Sequence, residues 1–485
     1  MYFADTDLTL VFGLRYEKFT SDDRPVFNQT FSNANGFRND ANIDGLDLVM
    51  PRFGFTWGIS DTLRLRGGAG LYAGGNPNVW LSNAWSNDGL TNAQFRFDYF
   101  DSATVLPGMA DSLELSGSRP GYDVPQEMID AVLAVSPTDA NDSNIVLIDP
   151  DYQQPGQWKF ALGATWELPE YGISTDFDII HGRMVNSVRY VDVAQAVVGQ
   201  TSAGQPIYDF VPGLGENNMM LTNSDNDGYS TLFSVLFNKN FDFGLDLALG
   251  YAYTEAEDVS PMTSFTAGSS FLNVATLDIN NPSAGISNYV VPHRFTLRAI
   301  YEAEWFGDNT TRFTLSGVVQ EGQPGSYVMT SQDLEGDNED DPRHLLYVPT
   351  GLNDPNVVWN MSPEDQTAFL NFIASEGLDP GFQKRNDENT KWSSRLDFMV
   401  SQDIAFTDEL SGRLYLKIYN FTNLLNDDWG KQYDAPFGSQ DVIDASIDPV
   451  TGQYVYNGFN DRDLNDLQEF RSLWEMRMGV QVNFN

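Results

Sequence analysis

The chain has 485 residues, no cysteine, and a formal net charge of −41 from 27 basic and 68 acidic side chains. Lack of cysteine excludes disulfides, thiolate metal sites and thiol nucleophiles, and the acidic balance argues against a nucleic-acid partner. No run of 18 apolar residues occurs, so no transmembrane helix is expected. Met1 is followed almost at once by strand-like sequence, without the basic and apolar regions of a signal peptide. The charge fits a solvated acidic surface, a cationic ligand, bound divalent ions or a saline habitat.

Alternation of apolar and polar residues, the mark of a strand with one oily face, recurs twelve times. Leu8, Leu10, Phe12, Leu14 and Tyr16 open the series against Thr9, Val11, Gly13 and Arg15. Residues 53–59 and 63–71 follow. Trp158, Phe160, Leu162, Ala164, Trp166 and Leu168 form the apolar side of the fourth segment. The fifth, 173–179, sets Asp176 and Asp178 on its polar side, and 229–237 and 245–253 come next. In the eighth, Phe295 to Trp305 alternate with Arg294, Arg298, Glu302 and Glu304. Residues 313–319, 396–406 and 414–418 lead to the last, 474–484. There Trp474, Met476, Met478, Val480, Val482 and Phe484 face one way and Glu475, Arg477, Gly479, Gln481 and Asn483 the other.

Connection lengths alternate as well. Tight polar turns are predicted at 60–61, 169–172, 240–242, 307–309 and 407–409. The other gaps are long: 20–47, 74–155, 185–227, 257–291, 325–390 and 425–469. A soluble sandwich has no cause to alternate in this way. An outer-membrane barrel does, with short periplasmic turns and long outer loops, and closure into a barrel satisfies backbone groups that lipid cannot. The expectation is an all-β, antiparallel transmembrane barrel of about twelve strands. It occupies residues 1–485 as one domain, crosses a roughly 25 Å apolar band, and carries long structured outer loops.

Charges at bilayer depth survive only where they face water or protein. Arg15, Arg64, Arg66, Lys159, Arg294, Arg298, Arg395, Lys417 and Arg477 are therefore placed on the inner wall, with Asp176, Asp178, Asp246, Glu302, Glu304, Asp397 and Glu475. In the loops, Trp80, Trp85, Tyr347 and Trp359 stand near Asn and Asp. That setting suits stacking on sugars or flat chelates, and equally suits packing within the loops. Trp429 and Tyr433 carry the same two readings. A helix is predicted over 362–377, capped by Ser362, opened by Pro363 and ended by Gly377, with Phe369, Leu370, Phe372 and Ile373 packing it down. A second is predicted near 124–135. The oxygen-rich stretches 224–228 and 333–341 could hold calcium or be solvated loops. His181, His293 and His344 share no catalytic or metal spacing. With no nucleophile elbow, phosphate loop or HExxH motif, neither an enzyme nor a resident cofactor or metal is expected.

Several stretches resemble a known family. Gly479, Val482 and Phe484 form a terminal Gly-x-x-Val-x-Phe that looks like the sorting signal read by the barrel assembly machinery, although Met478 and Asn485 depart from it. NFTNLLN at 420–426 resembles the penultimate-strand motif of TonB-dependent outer-membrane receptors. PRFGFTW (51–57), LRLRGGAGLY (63–72), LSNAWSNDG (81–89), VPHRFTL (291–297), LLYVPTG…DPNVVW (345–359) and FIASEGL (372–378) look like the Oar-like branch of those receptors. The resemblance implies a 22-strand barrel with an internal plug, a TonB box and an N-terminal sandwich. No plug, TonB box or sandwich is matched here, so these strands would be the C-terminal half of such a barrel. A twelve-strand barrel that closes by pairing 8–19 with 473–484 is the competing arrangement. The implied function is TonB-dependent uptake of a bulky ligand (metal chelate, oligosaccharide or peptide) across the outer membrane of a Gram-negative bacterium. Its partners would be outer-membrane lipid and, through the N-terminal region, the TonB system. A passive porin-like, structural or adhesive outer-membrane protein is the alternative class.

Overall fold

Each alternating segment forms one long strand in the computed structural model, which describes all residues except 75–77, 92–144, 215–217, 308, 337–341, 408–409, 436–438 and 485. The strands are β1 (Leu8–Lys18), β2 (Asp47–Gly58), β3 (Leu63–Ala73), β4 (Gly156–Leu168), β5 (Ile173–Val185) and β6 (Tyr229–Phe241). They continue as β7 (Leu245–Asp258), β8 (His293–Phe306), β9 (Asn309–Gln320), β10 (Ser393–Thr407), β11 (Leu410–Tyr419) and β12 (Glu475–Phe484). All neighbours are antiparallel, and their order in the sheet is their order in the chain. Most strands run past the alternation that marks them. β5 continues through His181, Gly182 and Arg183, so the backbone ladder rises above the oily stretch.

Tight turns close one end of the sheet. Pro169–Tyr171 makes a single 3-10 turn that ends on Gly172 at φ 59°, and Gly244 turns β6 into β7 at φ 89°. Both need the left-handed conformation that glycine adopts without a Cβ clash. One face of the sheet is apolar and bare. Trp474, Met476, Met478, Val480 and Val482 are between 43 and 80 % exposed, which in water would be an aggregation hazard and in lipid is the correct face. Near the short-turn end this face carries Trp57, Trp166 and Trp305, with Trp305 5.5 Å from Phe313. Near the long-loop end it carries Tyr16 and Trp158, and His293 stacks on Trp392 and Tyr251. These are two aromatic belts on either side of an aliphatic band.

Among the described residues, β1 and β12 do not pair. The partner of β12 is β11, and β1 is flanked by β2 and, at its foot, by Tyr2–Phe3. The sheet is open.

The long loops fold into two packed bodies. The first joins 325–390 to 425–469. Strand Pro324–Thr330 pairs in parallel with Ser439–Ile447, and Val357–Trp359 pairs in parallel with Tyr454–Phe459. Helix α1 (Pro363–Glu376) lies on this sheet; Ser362 accepts from the Asp365 amide and Gly377 ends it at φ 73°. Phe369, Phe372 and Ile373 pack the helix down as predicted, in one cluster with Tyr327, Tyr456 and Phe459, and Leu370 is half-buried. The second body joins parts of 74–155, 185–227 and 257–291. It packs the helices Asn78–Ser86 and Ala267–Leu272 on a sheet of Val146–Ile148, Met219–Asn223 and Val188–Asp192. The predicted helix near 124–135 lies outside the described residues.

Candidate functional site

Residues directly opposed on antiparallel strands point to the same face, so a register row maps the inner wall. One row runs Thr56, Arg66, Gly163, Asp178 and Ser234. Arg66 reaches across β4, and its Nη2 donates to Asp178 Oδ1 and Oδ2 at 2.8 and 2.9 Å. Gly163 makes this possible, because a Cβ there would lie 2.3 Å from Asp178 Oδ1. Other pairs follow the same face. Arg312 Nε is 2.6 Å from Glu302 Oε1, Arg395 Nε 2.9 Å from Asp397 Oδ1, Arg413 Nε 2.5 Å from Asp403 Oδ1 and Arg477 Nε 2.5 Å from Glu475 Oε1. Arg15 pairs with Glu17. Among the described residues Arg64, Arg294, Arg298, Asp246 and Glu304 make no such pair. Arg413, read opposite Leu414, Leu416 and Ile418, lies on this wall, and so do Arg52, Arg312 and Asp403, which the periodic segments did not name. Extending two alternations by one residue would have found Arg52 and Arg312, and Asp403 lies within its segment on the polar side.

Two tyrosines on this wall collect cations. Tyr419 has Lys417 Nζ at 4.0 Å from its ring centroid, Arg477 Cζ at 5.1 Å and Arg395 Cζ at 5.5 Å. Tyr72 has Arg52 Cζ at 4.4 Å and Lys159 Nζ at 5.7 Å.

The predicted loop aromatics separate into the two bodies above the sheet. Trp80 and Trp85 pack against the second, and Trp80 Nε1 donates to the Ser264 carbonyl at 3.2 Å. Tyr347 and Trp359 belong to the first. The Tyr347 ring stacks 5.5 Å from Tyr454, and Trp359 Nε1 donates to the Leu352 carbonyl at 3.1 Å. All four rings are engaged with protein, and the two pairs do not share one site.

The histidines are scattered, with no shared site. His181 lies within β5, its Nδ1 3.0 Å from Thr231 Oγ1. His293 begins β8 within the aromatic belt. His344 is buried, with Nε2 2.8 Å from Glu335 Oε1 and Nδ1 3.3 Å from Gln205 Nε2. Arg343, also buried, holds its Nε 3.2 Å from the same Glu335 oxygen and stacks 4.2 Å above Phe271. Gln205 in turn accepts from the Tyr454 hydroxyl at 2.7 Å. Tyr454 lies in one loop body and Phe271 in the other, so this polar junction joins them. Burial pushes Glu335 up, but the Arg343 charge and the His344 contact outweigh it and hold the carboxyl below its usual range. Asp192, coupled to the same charges, goes the other way. Burial lifts it to about 6 against backbone amide bonds from Ala194 and Asn218.

The acidic stretch 333–341 is thus partly structural. Glu335 turns inward, Asp333 accepts from the Ile447 amide at 2.7 Å, and 337–341 lie outside the described residues. In 224–228, Asp227 Oδ1 accepts from Ser187. Among the described residues no three acidic or imidazole groups are gathered as a metal site.

NFTNLLN acts as a corner. Asn420, at φ 49°, donates through Nδ2 to the Gly430 and Ser472 carbonyls at 2.9 and 2.7 Å. Asn423 Oδ1 accepts from the Trp474 amide at 3.2 Å. The motif ties the end of β11 to the approach to β12. Gly479 sits under the Tyr415 ring, where a Cβ would come within 2.4 Å. Val482 lies on the apolar face, and Phe484 is the last residue of β12, opposite Leu410.

The family profile described as outer membrane beta barrel domain matches residues 2–438. The sequence matches no protein of curated function. Among solved structures it is similar to the outer membrane transporter YddB from Escherichia coli, at 11 % identity and TM-score 0.42, covering 90 % of this chain and 41 % of that one. It is also similar to the FrpB iron transporter from Neisseria meningitidis, at 9 % identity and TM-score 0.42, covering 98 % and 43 %. A third is BauA, the ferric preacinetobactin receptor from Acinetobacter baumannii, at 11 % identity and TM-score 0.38, covering 98 % and 40 %. The chain spans about two fifths of the length of these structures. With its family profile matched over most of its length, this chain belongs to the outer membrane beta barrel domain family, an all-β membrane fold of the Gram-negative outer membrane.

Proposed function

We propose that this chain is the C-terminal part of the barrel of a TonB-dependent receptor, admitting a bulky ligand such as a metal chelate, oligosaccharide or peptide. The observation that carries the reading is the open edge. β1 and β12 lie at bilayer depth without pairing each other, and unpaired backbone is not tolerated in lipid. On this reading further strands would complete the wall, as the resemblance of NFTNLLN to those receptors implies. The mixed-charge inner face supports a water-filled or protein-filled interior. Energy would come from the TonB system. Gly479, Val482 and Phe484 would serve recognition by the barrel assembly machinery.

The test uses the complete reading frame in its outer membrane. Ligand uptake should stop when TonB is deleted, and the purified protein should pass little steady current in planar bilayers. Uptake that persists without TonB, or a permanently open pore, would replace this reading with the passive class.

A further inference from the structure

Four residues nearer the long loops than Arg66, a register row reads Gly13, Arg52, Gly70, Lys159 and Gly182. Cations occupy alternate strands, and each is flanked by glycine on both sides. Between them stands Tyr72, next to both charges. Gly13 leaves the wall open beside Arg52, while at Gly182 the Gln157 side chain takes the space, its Nε2 2.4 Å from where a Cβ would lie. At Gly70 a Cβ would come 3.1 Å from Arg52 Cγ and 3.2 Å from the Tyr72 ring. Beside Arg52 opens a cavity of about 290 Å³, lined by Arg15, Glu17, Met50, Arg52, Tyr72 and Gln154, and Lys159 Nζ stands outside its lining, 5.7 Å from the Tyr72 ring.

Charge here runs against the rest of the molecule. The chain carries −41 overall, yet Arg15, Arg52 and Lys159 meet one acid, Glu17, which pairs with Arg15. Among the described residues no carboxylate pairs with Arg52 or Lys159, and neither donates a hydrogen bond. Arg52 Nε is buried without a partner. At Tyr419 the wall treats its cations differently: Asp397 and Glu475 hold two of the three. A guanidinium with free donors beside a cavity is built for bidentate carboxylate binding, and a nearby ammonium adds a point charge.

We propose that this niche binds a small polycarboxylate, either free or as the exposed carboxylates of a larger ligand. Arg52 would grip one carboxylate and Lys159 a second. Their distances to the shared ring place the two charges within about 10 Å of each other, so one ligand with two or three carboxylates spans both. The proposal rests on the ligand-admitting reading above, but binding requires no energised membrane. Failure of uptake and failure of binding are therefore separate results.

The experiment is calorimetric titration of the complete protein, in detergent micelles at low salt, with citrate as probe and triethyl citrate as its uncharged counterpart. Citrate should bind, weakening as salt rises, and triethyl citrate should not. Arg52→Gln and Lys159→Gln should each weaken citrate about tenfold. Gly70→Val, which keeps both charges but fills the niche, should weaken it similarly. Lys159→Arg should retain both fold and binding, so a misfolded glutamine variant would not hide the result. Lys239→Gln, on the lipid face, should change nothing. No citrate binding by the unaltered protein, equal binding of the triester, or unchanged affinity in the Arg52→Gln/Lys159→Gln double variant would overturn the proposal.

Discussion

Phe369 is fully buried and Phe160 is 47 % exposed, and each is where its region requires it. Phe369 packs in a loop body whose centre is dry and whose surface is wet. Phe160 lies on a sheet whose apolar face has no protein cover. Of the twelve largest fully buried side chains among the described residues, only Met50 comes from a barrel strand. The cap above the sheet is stabilised as a soluble domain is, by burial against itself. The sheet is stabilised by its backbone ladder and by lipid. One chain thus holds two regions that should respond oppositely to the same perturbation.

The sharpest way to test this is a cavity in the cap. Phe369→Ala removes a ring in contact with Trp359, Tyr456 and Phe459 and should cost about 3–5 kcal/mol. Limited proteolysis should then cut within 325–390 and 425–469, while the barrel keeps its resistance to unfolding in sodium dodecyl sulfate. Loss of both together would show that cap and sheet are a single cooperative unit.

Neighbouring residues on β4 give the reverse test. Leu162 is 52 % exposed on the apolar face, and Ala161 points to the inner wall. Leu162→Arg places a charge near mid-bilayer and should cost about 2–4 kcal/mol, whereas Ala161→Arg should cost well under half of that. Refolding into lipid vesicles measures both. Equal losses would contradict the assignment of faces.

These faces were legible in the sequence because each strand carries its own period. α1 was legible from Ser362, Pro363 and Gly377, whose chemistry is local. The cap was not. Ser326 pairs with Ser439, and Val357 with Tyr454, and no local pattern announces a parallel pairing across such a separation. Glu335 sits in an acidic run that reads as solvated, and only the fold brings Arg343 and His344 onto it. The row from Gly13 to Gly182 becomes visible only when five strands are in register. Arg52 was missed for a simpler reason, since β2 begins well before the segment whose alternation marks it.

Acidity should separate the two regions next. Asp192 is raised to about 6 by burial, so the folded cap binds its proton more tightly than the unfolded chain does. Its stabilising contribution is complete below about pH 4 and is lost as pH climbs to about 6, a change of about 3 kcal/mol. Glu335 has the opposite sign: held below its usual range, it contributes above the ordinary carboxylate pKa and loses that contribution as pH falls. Asp192→Asn keeps the oxygen that accepts from Ala194 and Asn218 and removes the charge. Protease resistance of the cap should fall between pH 4 and 6 in the parent and fall less in the variant, where Glu388, raised by burial to about 7, still contributes a slope of the same sign. A variant that retains the parent's slope would assign the titration to another group.

The smallest effect belongs to the inner wall, where ion pairs face water. The Arg66 and Asp178 side chains are 43 and 34 % exposed, and pairs so exposed contribute about 0–1 kcal/mol. Gly163→Ala inserts a methyl group where Asp178 Oδ1 now lies. The carboxylate must move, and Arg66 loses its bidentate contact across β4. The expected cost is about 1 kcal/mol, the bridge together with some local strain. Arg66→Gln alone should cost about as much, because it removes the same bridge from the other end. If Gly163 is glycine in order to seat that bridge, the double variant should be little worse than either single one, since a contact can be lost only once. Additive losses in a denaturation cycle would mean that Gly163 serves the strand itself, and that the Arg66–Asp178 contact is a passive consequence of the space it leaves.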